Sequence, residues 1–302
     1  MIAAGKVGGL VLAPAQLAPL LAIALLYARR VRTLAPTPRA VPGGRQACFY
    51  GGLGVILVAI GSPTGRIADE LFSVHMAEHL LIGDIGALLL VLGLTGPLLA
   101  PILRTRWLGW TRALTHPVVA IALWAVDLYA WHAPALYQAA IRHDGIHALE
   151  HACFGGFGVA MWMALFGPLP KPTWFGNLAK LLYVIAVRLL GGILANVIIW
   201  DDHVLYPHYE AAERAWGISP HADQVAAGAV MMVEGSIVTI CLFGWLFLRA
   251  AREGEERQEL LDLAAAHGLE LDERRAARAV AAGRGAELRE RILAGRLAEP
   301  HG

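Results

Sequence analysis

Residues 75–86 read HMAEHLLIGDIG, and residues 147–158 read HALEHACFGGFG. Both spell H-x-x-E-H-x-x-x-G-x-x-G, and each lies at the start of a long apolar run. On a helix, positions i and i+4 share one face. His75 with His79, and His147 with His151, therefore each present two imidazoles on one stripe. Ionisable side chains beside a membrane span are costly to place and mark a site. Convergent imidazoles with nearby carboxylate suit copper, zinc or iron, whereas thiolate and thioether favour Cu(I) more sharply. Met76, Cys153, Met231 and Met232 are the soft donors near these ends. Glu78 and Glu150 turn about 100° from the adjoining histidines. That direction suits a supporting role, fixing an imidazole tautomer, or a site facing a neighbouring helix. Gly83, Gly86, Gly155 and Gly158 continue the two stripes. Small residues let transmembrane helices approach closely, so these glycines are expected to bring the histidine pairs to one depth.

The elements that must position these groups follow from composition. The chain has 302 residues, 57% hydrophobic and 16% charged, with a net charge of +1. That is a membrane-protein composition, with the lipid bilayer as the first partner. The near-neutral charge and the absence of a nucleic-acid motif exclude a nucleic-acid partner. Cys48, Cys153 and Cys241 are far apart and give neither a disulfide framework nor a zinc ribbon. A span needs roughly 20 apolar residues. Seven runs qualify, near 8–28, 46–63, 72–95, 117–135, 147–167, 178–200 and 222–248. The expected fold is all-α, a polytopic seven-transmembrane-helix bundle over residues 1–249. Residues 250–302 are rich in Arg, Glu and Ala and read as a small cytoplasmic helical tail. Its helices are expected near 255–267 and 271–294, with a His-Gly break between them.

Orientation comes from the short loops. Arg29, Arg30, Arg32, Arg39, Arg45, Arg104, Arg106, Arg112, Lys171 and Lys180 fall on one side. Lys6, Arg66, Arg142 and Arg214 fall on the other. The richer side is taken as cytoplasmic, which puts the N-terminus outside and the C-terminus inside. The first span is not read as a cleaved signal peptide, because its positive charges follow the apolar run. His75, His79, His132, His143, His147, His151, His203, His208 and His221 then all lie at the outer face. Taken singly, His132, His203, His208 and His221 also suit plain interfacial hydrogen bonding. The expected ligands are His75, His79, His147 and His151, joined by His132 and His203. Residues 131–137 (WHAPALY) and 200–206 (WDDHVLY) are weak echoes of each other. Arg188 and Glu234 fall near mid-span and are expected to pair, which lowers the cost of burying each.

Three chemistries compete for the histidine cluster. A metal carrier needs an open or polar-walled site that can release its ion. A zinc-dependent hydrolase is the second reading, because H-x-x-E-H is also a metallopeptidase signature. Its duplication and the lack of a soluble catalytic domain argue against that. A haem-binding redox protein is the third, although histidines at i and i+4 of one helix are too close for two stacked haems.

Three segments carry a resemblance: HMAEHLL followed by Gly96-Pro97, WHAPALYQAAIRHDGIHALEHACF at 131–154, and DDHVLYPHYEAAERAWGISPHADQVAAGAVMMVEGS at 201–236. In motif order, spacing and span count, residues 50–248 resemble the CtaG-type, caa-type-oxidase-associated assembly factors of bacteria. The resemblance implies a multi-pass protein of the bacterial plasma membrane that matures a haem-copper oxidase. It implies copper as the ion, an oxidase subunit as the receiver and no enzymatic turnover; zinc and haem are the alternatives. A homo-oligomer is left open. The family's motif histidines carry over to His75, His79, His132, His147 and His151. Asp202, His203, Tyr206, Asp223 and Gln224 are further motif positions, and Met76 adjoins the first histidine. The chain does not resemble the single-span copper chaperone of similar name, because it lacks that protein's paired-cysteine motif.

Overall fold

The computed structural model describes residues 14–105 and 111–296. The start of the first expected span, Lys6, Arg106 and His301 lie outside the described residues. Of the described residues 81% are helical and none is in a strand. Helices α1 (Pro14–Leu34), α2 (Gly43–Gly61) and α3 (Pro63–Ala68) lead into α4 (Phe72–Leu80). A π-helical turn (Leu81–Gly86) joins α4 to α5 (Ala87–Leu92), so Phe72–Leu92 forms one span-length element. Next come α6 (Gly96–Arg104), α7 (Thr111–Leu114), α8 (Pro117–Trp131), α9 (Pro134–Arg142), α10 (Asp144–Phe166) and α11 (Asn177–Trp200). A 3₁₀ turn (Pro207–Tyr209) precedes α12 (Glu210–Ala215), α13 (Pro220–Ala266), α14 (Glu273–Ala281) and α15 (Gly285–Leu293).

Five of these elements are long and apolar enough to cross a membrane: Gly43–Gly61, Phe72–Leu92, Asp144–Phe166, Asn177–Trp200 and Pro220–Ala266. A sixth counts if α8 and α9, bent by 73°, make one broken span. The first of the seven expected runs appears as α1, which is not among the five. The bend has a local cause. Pro134 disfavours helical backbone in the residue before it, and Ala133 is extended at ψ 127°. The chain then resumes as helix through Arg142, where the expected span ended near residue 135.

The contacts divide the chain into Met1–Ile237 and Val238–Gly302. In the first unit, α10 packs on α8, α9, α5 and the π turn, and α2 packs on α5 and the same turn. Phe72, Met76, Leu128, Trp131, Tyr137, Phe154 and Tyr209 form a buried core. Leu25, Leu26, Val126, Leu189 and Ile193 are exposed on the outward faces. Such extended apolar surface suits lipid and not water.

Two of the four repeat glycines bring α10 against the π turn. A methyl on Gly158 would lie 2.0 Å from Gly83 O, and one on Gly83 would lie 3.1 Å from Phe154 O. The other two depart from the expectation. Gly86 faces α2, with Ile56 Cγ1 2.7 Å from its would-be methyl, because the helices on its two sides differ. Gly155 meets only Ile82 Cγ2, at an ordinary 3.5 Å.

In the second unit, Leu260, Ala264, Val280, Leu288 and Ile292 make a small core of their own. The expected break falls at Gly268, whose φ of 66° favours glycine. The single helix expected over 271–294 is instead split into α14 and α15. Gly283, at φ 68°, turns the chain between them.

Candidate metal centre

α4 begins without a side-chain cap of its own, since its N-cap residue is Leu71. The cap comes from the start of α13. The Asp223 carboxylate accepts from Phe72 N–H at 2.6 Å and from the Ser73 hydroxyl. A carboxylate there satisfies free amides and complements the helix dipole. One turn further, His75, Glu78 and His79 point towards α10, which presents His147, Glu150 and His151. His75 Nε2 lies 4.0 Å and His79 Nε2 3.8 Å from the Glu150 carboxylate. His151 Nε2 lies 3.9 Å from Glu78 Oε2. The ligand atoms of His75, His79 and Glu150 all lie within 4.8 Å of one another, as do those of His75, Glu78 and His147.

These separations exceed hydrogen-bond range. They match the spacing of two ligands bound to one ion at about 2 Å each. The Nε2 atoms of all four histidines, both Glu150 oxygens and Glu78 Oε2 are buried with no hydrogen-bond partner. Buried polar groups are otherwise nearly always paired, so this donor set fits a metal ion. Glu78 and Glu150, expected to support the histidines or to face a neighbouring helix, each face the imidazoles of the opposite helix and stand as ligand candidates themselves.

Aromatic rings wall the cluster. Tyr137 lies 5.3 Å from the His75 ring, and Phe154 lies 4.3 Å from the His79 ring. The Tyr137 and Tyr209 hydroxyls share a 2.9 Å hydrogen bond. Neither tyrosine was singled out from sequence as a site residue. The signal was their place inside the quoted segments WHAPALY and DDHVLYPHY. His147 is the half-buried member, on the end of α10 where Asp144 is exposed. Asp69 and Glu70 are exposed in the turn before α4, and Asp69 interacts electrostatically with Asp144.

The remaining sequence candidates divide. His132 is buried at the α8–α9 bend. Its Nδ1 is bonded to Leu128 O at 2.7 Å, and its Nε2 stands 3.3 Å from Met76 Sδ. Its ring is 6.3 Å from that of His79, so it borders the cluster. His203 does not join it: its side chain is 92% exposed and bonds Asp201 at 3.1 Å. An Asx turn in the loop after α11 aims it outward, with Asp201 Oδ1 accepting from His203 N–H. Asp202 is likewise exposed. Gln224 pins that loop, accepting from Leu205 N–H and donating to Asp201 O and His203 O. Tyr206 donates to His132 O at 2.7 Å, which ties the loop to the bend. Arg188 does approach Glu234, at 3.7 Å, but its closer partner is Asp84, at 2.7 Å and 3.3 Å. The π turn presents Asp84 to it, and Trp162 Nε1 bonds the Asp84 carbonyl.

Outside the spans, burial and the Asp223 carboxylate push the Glu213 carboxyl up to about 7. Glu213 thereby ties α12 to the residue that caps α4.

The family model for cytochrome c oxidase caa3 assembly factors (Caa3_CtaG) matches residues 25–253. An uncharacterised protein of Mycobacterium bovis is 25% identical over 251 residues, covering 76% of this chain and 38% of that protein. An uncharacterised protein of Mycobacterium leprae is 24% identical over 231 residues, covering 70% of this chain and 35% of its own. The chain thus spans less than two fifths of the length of these relatives. No solved structure matches.

Proposed function

From the premise that this chain belongs to the cytochrome c oxidase caa3 assembly factor family, we propose that it carries copper at the His75–His79–His147–His151 cluster and delivers it to a haem-copper oxidase subunit. The observation that carries the reading is the set of buried imidazole and carboxylate atoms without partners on α4 and α10. Imidazole and carboxylate together suit Cu(II) among the first-row metals, which binds such sites most tightly in the divalent series. Met76 beside His132 adds a thioether at the border, of the kind that Cu(I) prefers.

In this reading the seven-span topology holds, with the N-terminus and the metal site at the outer face of a bacterial plasma membrane. Copper is cargo, so entry and exit both matter. Exposed Asp69, Glu70 and Asp144 give the approach a negative field that concentrates cations. Half-buried His147 is the first imidazole such an ion meets. The two helices supply binding, and no group is assigned a turnover step.

The detergent-purified protein is expected to bind copper, and the double substitution His79→Ala with His151→Ala to abolish binding. Metal analysis after copper loading and desalting reads this directly. Undiminished copper in the double variant would refute the site.

A further inference from the structure

We infer that the cluster is built for two ions, each bound by both histidines of one helix and the glutamate of the other. This rests on the proposal above that the cluster holds metal, and it specifies how. The first group is His75 and His79 from α4 with Glu150 from α10, at 4.0 and 3.8 Å. The second is His147 and His151 from α10 with Glu78 from α4; His151 stands 3.9 Å from the carboxylate. His147 and Glu78 also fall within a common 4.8 Å set that includes His75. The two histidine pairs have the same ring separation, with centroids 4.3 Å apart in each, at interplanar angles of 76° and 56°. His75 and His147, one from each group, stack with ring centroids 5.3 Å apart, so the two groups adjoin.

The sequence repeat explains this exchange. Within H-x-x-E-H, the glutamate sits off the histidine stripe and leans towards the neighbouring helix. Two parallel copies facing each other therefore trade carboxylates while keeping their imidazoles. The two glutamates are also divided one to each group. Both carboxylates are buried, with side-chain exposures of 0% and 3%. Their closest basic neighbours among the described residues are the imidazoles. One ion bound as in either group would leave the glutamate of the other group, and its imidazoles, without a metal partner.

The test is a titration of the detergent-purified full chain with Cu(II), followed by metal analysis and electron paramagnetic resonance. Two equivalents per chain are expected. The Cu(II) signal should grow up to about one equivalent and then fall below the metal content as the second, adjacent ion couples to the first. Glu150→Gln and Glu78→Gln should each retain one equivalent and the uncoupled signal. Saturation at one equivalent in the wild type would overturn the inference while leaving the copper reading intact. So would a second equivalent whose signal stays fully additive. If zinc binds at two equivalents and copper does not bind, the copper reading fails and the two-ion site stands. The resonance measurement needs no variant, so a misfolded substitution does not shield the inference.

Discussion

Glu213 shows how one side chain ties the outer cap to pH. Burial and Asp223 hold its folded carboxyl at about 7, whereas an unfolded glutamate titrates near ~4.3. The folded state therefore binds the extra proton more tightly. The stability linked to this proton is complete below the unfolded value and is lost as pH rises towards and through 7. The thermal midpoint is expected to fall between pH 5 and pH 8, and Glu213→Gln should flatten that decline. An identical slope in the variant would assign the dependence elsewhere. Glu213 was invisible to sequence reading, because nothing in EAAERA marks a glutamate that will meet an aspartate ten residues on. The four clustered histidines were legible, because their spacing encodes a shared face. His203 carried the same residue type and the same family motif, yet it points outward. Spacing gives a face only where the backbone is regular, and His203 lies in a loop.

Among elements, the approach of α10 to the π turn depends on two glycines and not four. Gly158→Ala would place a methyl 2.0 Å from a backbone oxygen that cannot move aside easily. The expected cost is about 1–3 kcal/mol or more from overpacking, together with weakened copper binding as the histidine pairs separate. Gly155→Ala meets only ordinary contact at 3.5 Å and is expected to change the melting temperature and the copper content little. Equal losses in both would show that helix propensity, not close approach, governs this contact. The element boundaries of four apolar runs (α2, Phe72–Leu92, α10 and α11) were readable to within a few residues, whereas α1 runs on to Leu34 and α13 continues unbroken from the seventh run through the first expected tail helix to Ala266. The α8–α9 bend was not readable, although its cause, Pro134, stands in the sequence. A proline marks where a helix breaks but does not say whether a new helix starts beyond it. The split between α14 and α15 was missed for a similar reason. Gly283 in an alanine-rich run is tolerated within a helix at a cost of about 1 kcal/mol, so its positive φ was not forced by local sequence.

At the scale of the molecule, five or six span-length elements stand among the described residues where seven were expected. The difference lies in the first run, which extends beyond the described residues, and in the bent fourth. Composition announces a membrane protein well before it counts the crossings, because partly buried and broken helices dilute the apolar signal. Orientation is open to a direct experiment. In a background with Cys48, Cys153 and Cys241 replaced by serine, His208→Cys is expected to react with an impermeant maleimide in intact cells. Arg104→Cys should react only after lysis. Both positions are exposed, so burial does not confound the result. The reverse pattern would invert the topology and put the cluster on the cytoplasmic side.

The π turn at Leu81–Gly86 joins two tasks within one continuous element. Ala87 N–H donates to Ile82 O, five residues back, so the helix carries one residue more than an α-helical path would hold. Each residue of an α-helix turns the face by about 100°. The insertion therefore acts as a phase shift between an upstream face that meets α10 through His75 and His79 and the turn's own Asp84, which meets Arg188. Removing a residue of that turn ahead of Asp84 (Leu81, Ile82 or Gly83) would swing Asp84 by about 100° relative to the histidines. The histidines and the buried ion pair could then not both be engaged. The turn thus sets the reading frame of the element in space, and the metal cluster and the arginine are legible to their neighbours only while that frame is kept.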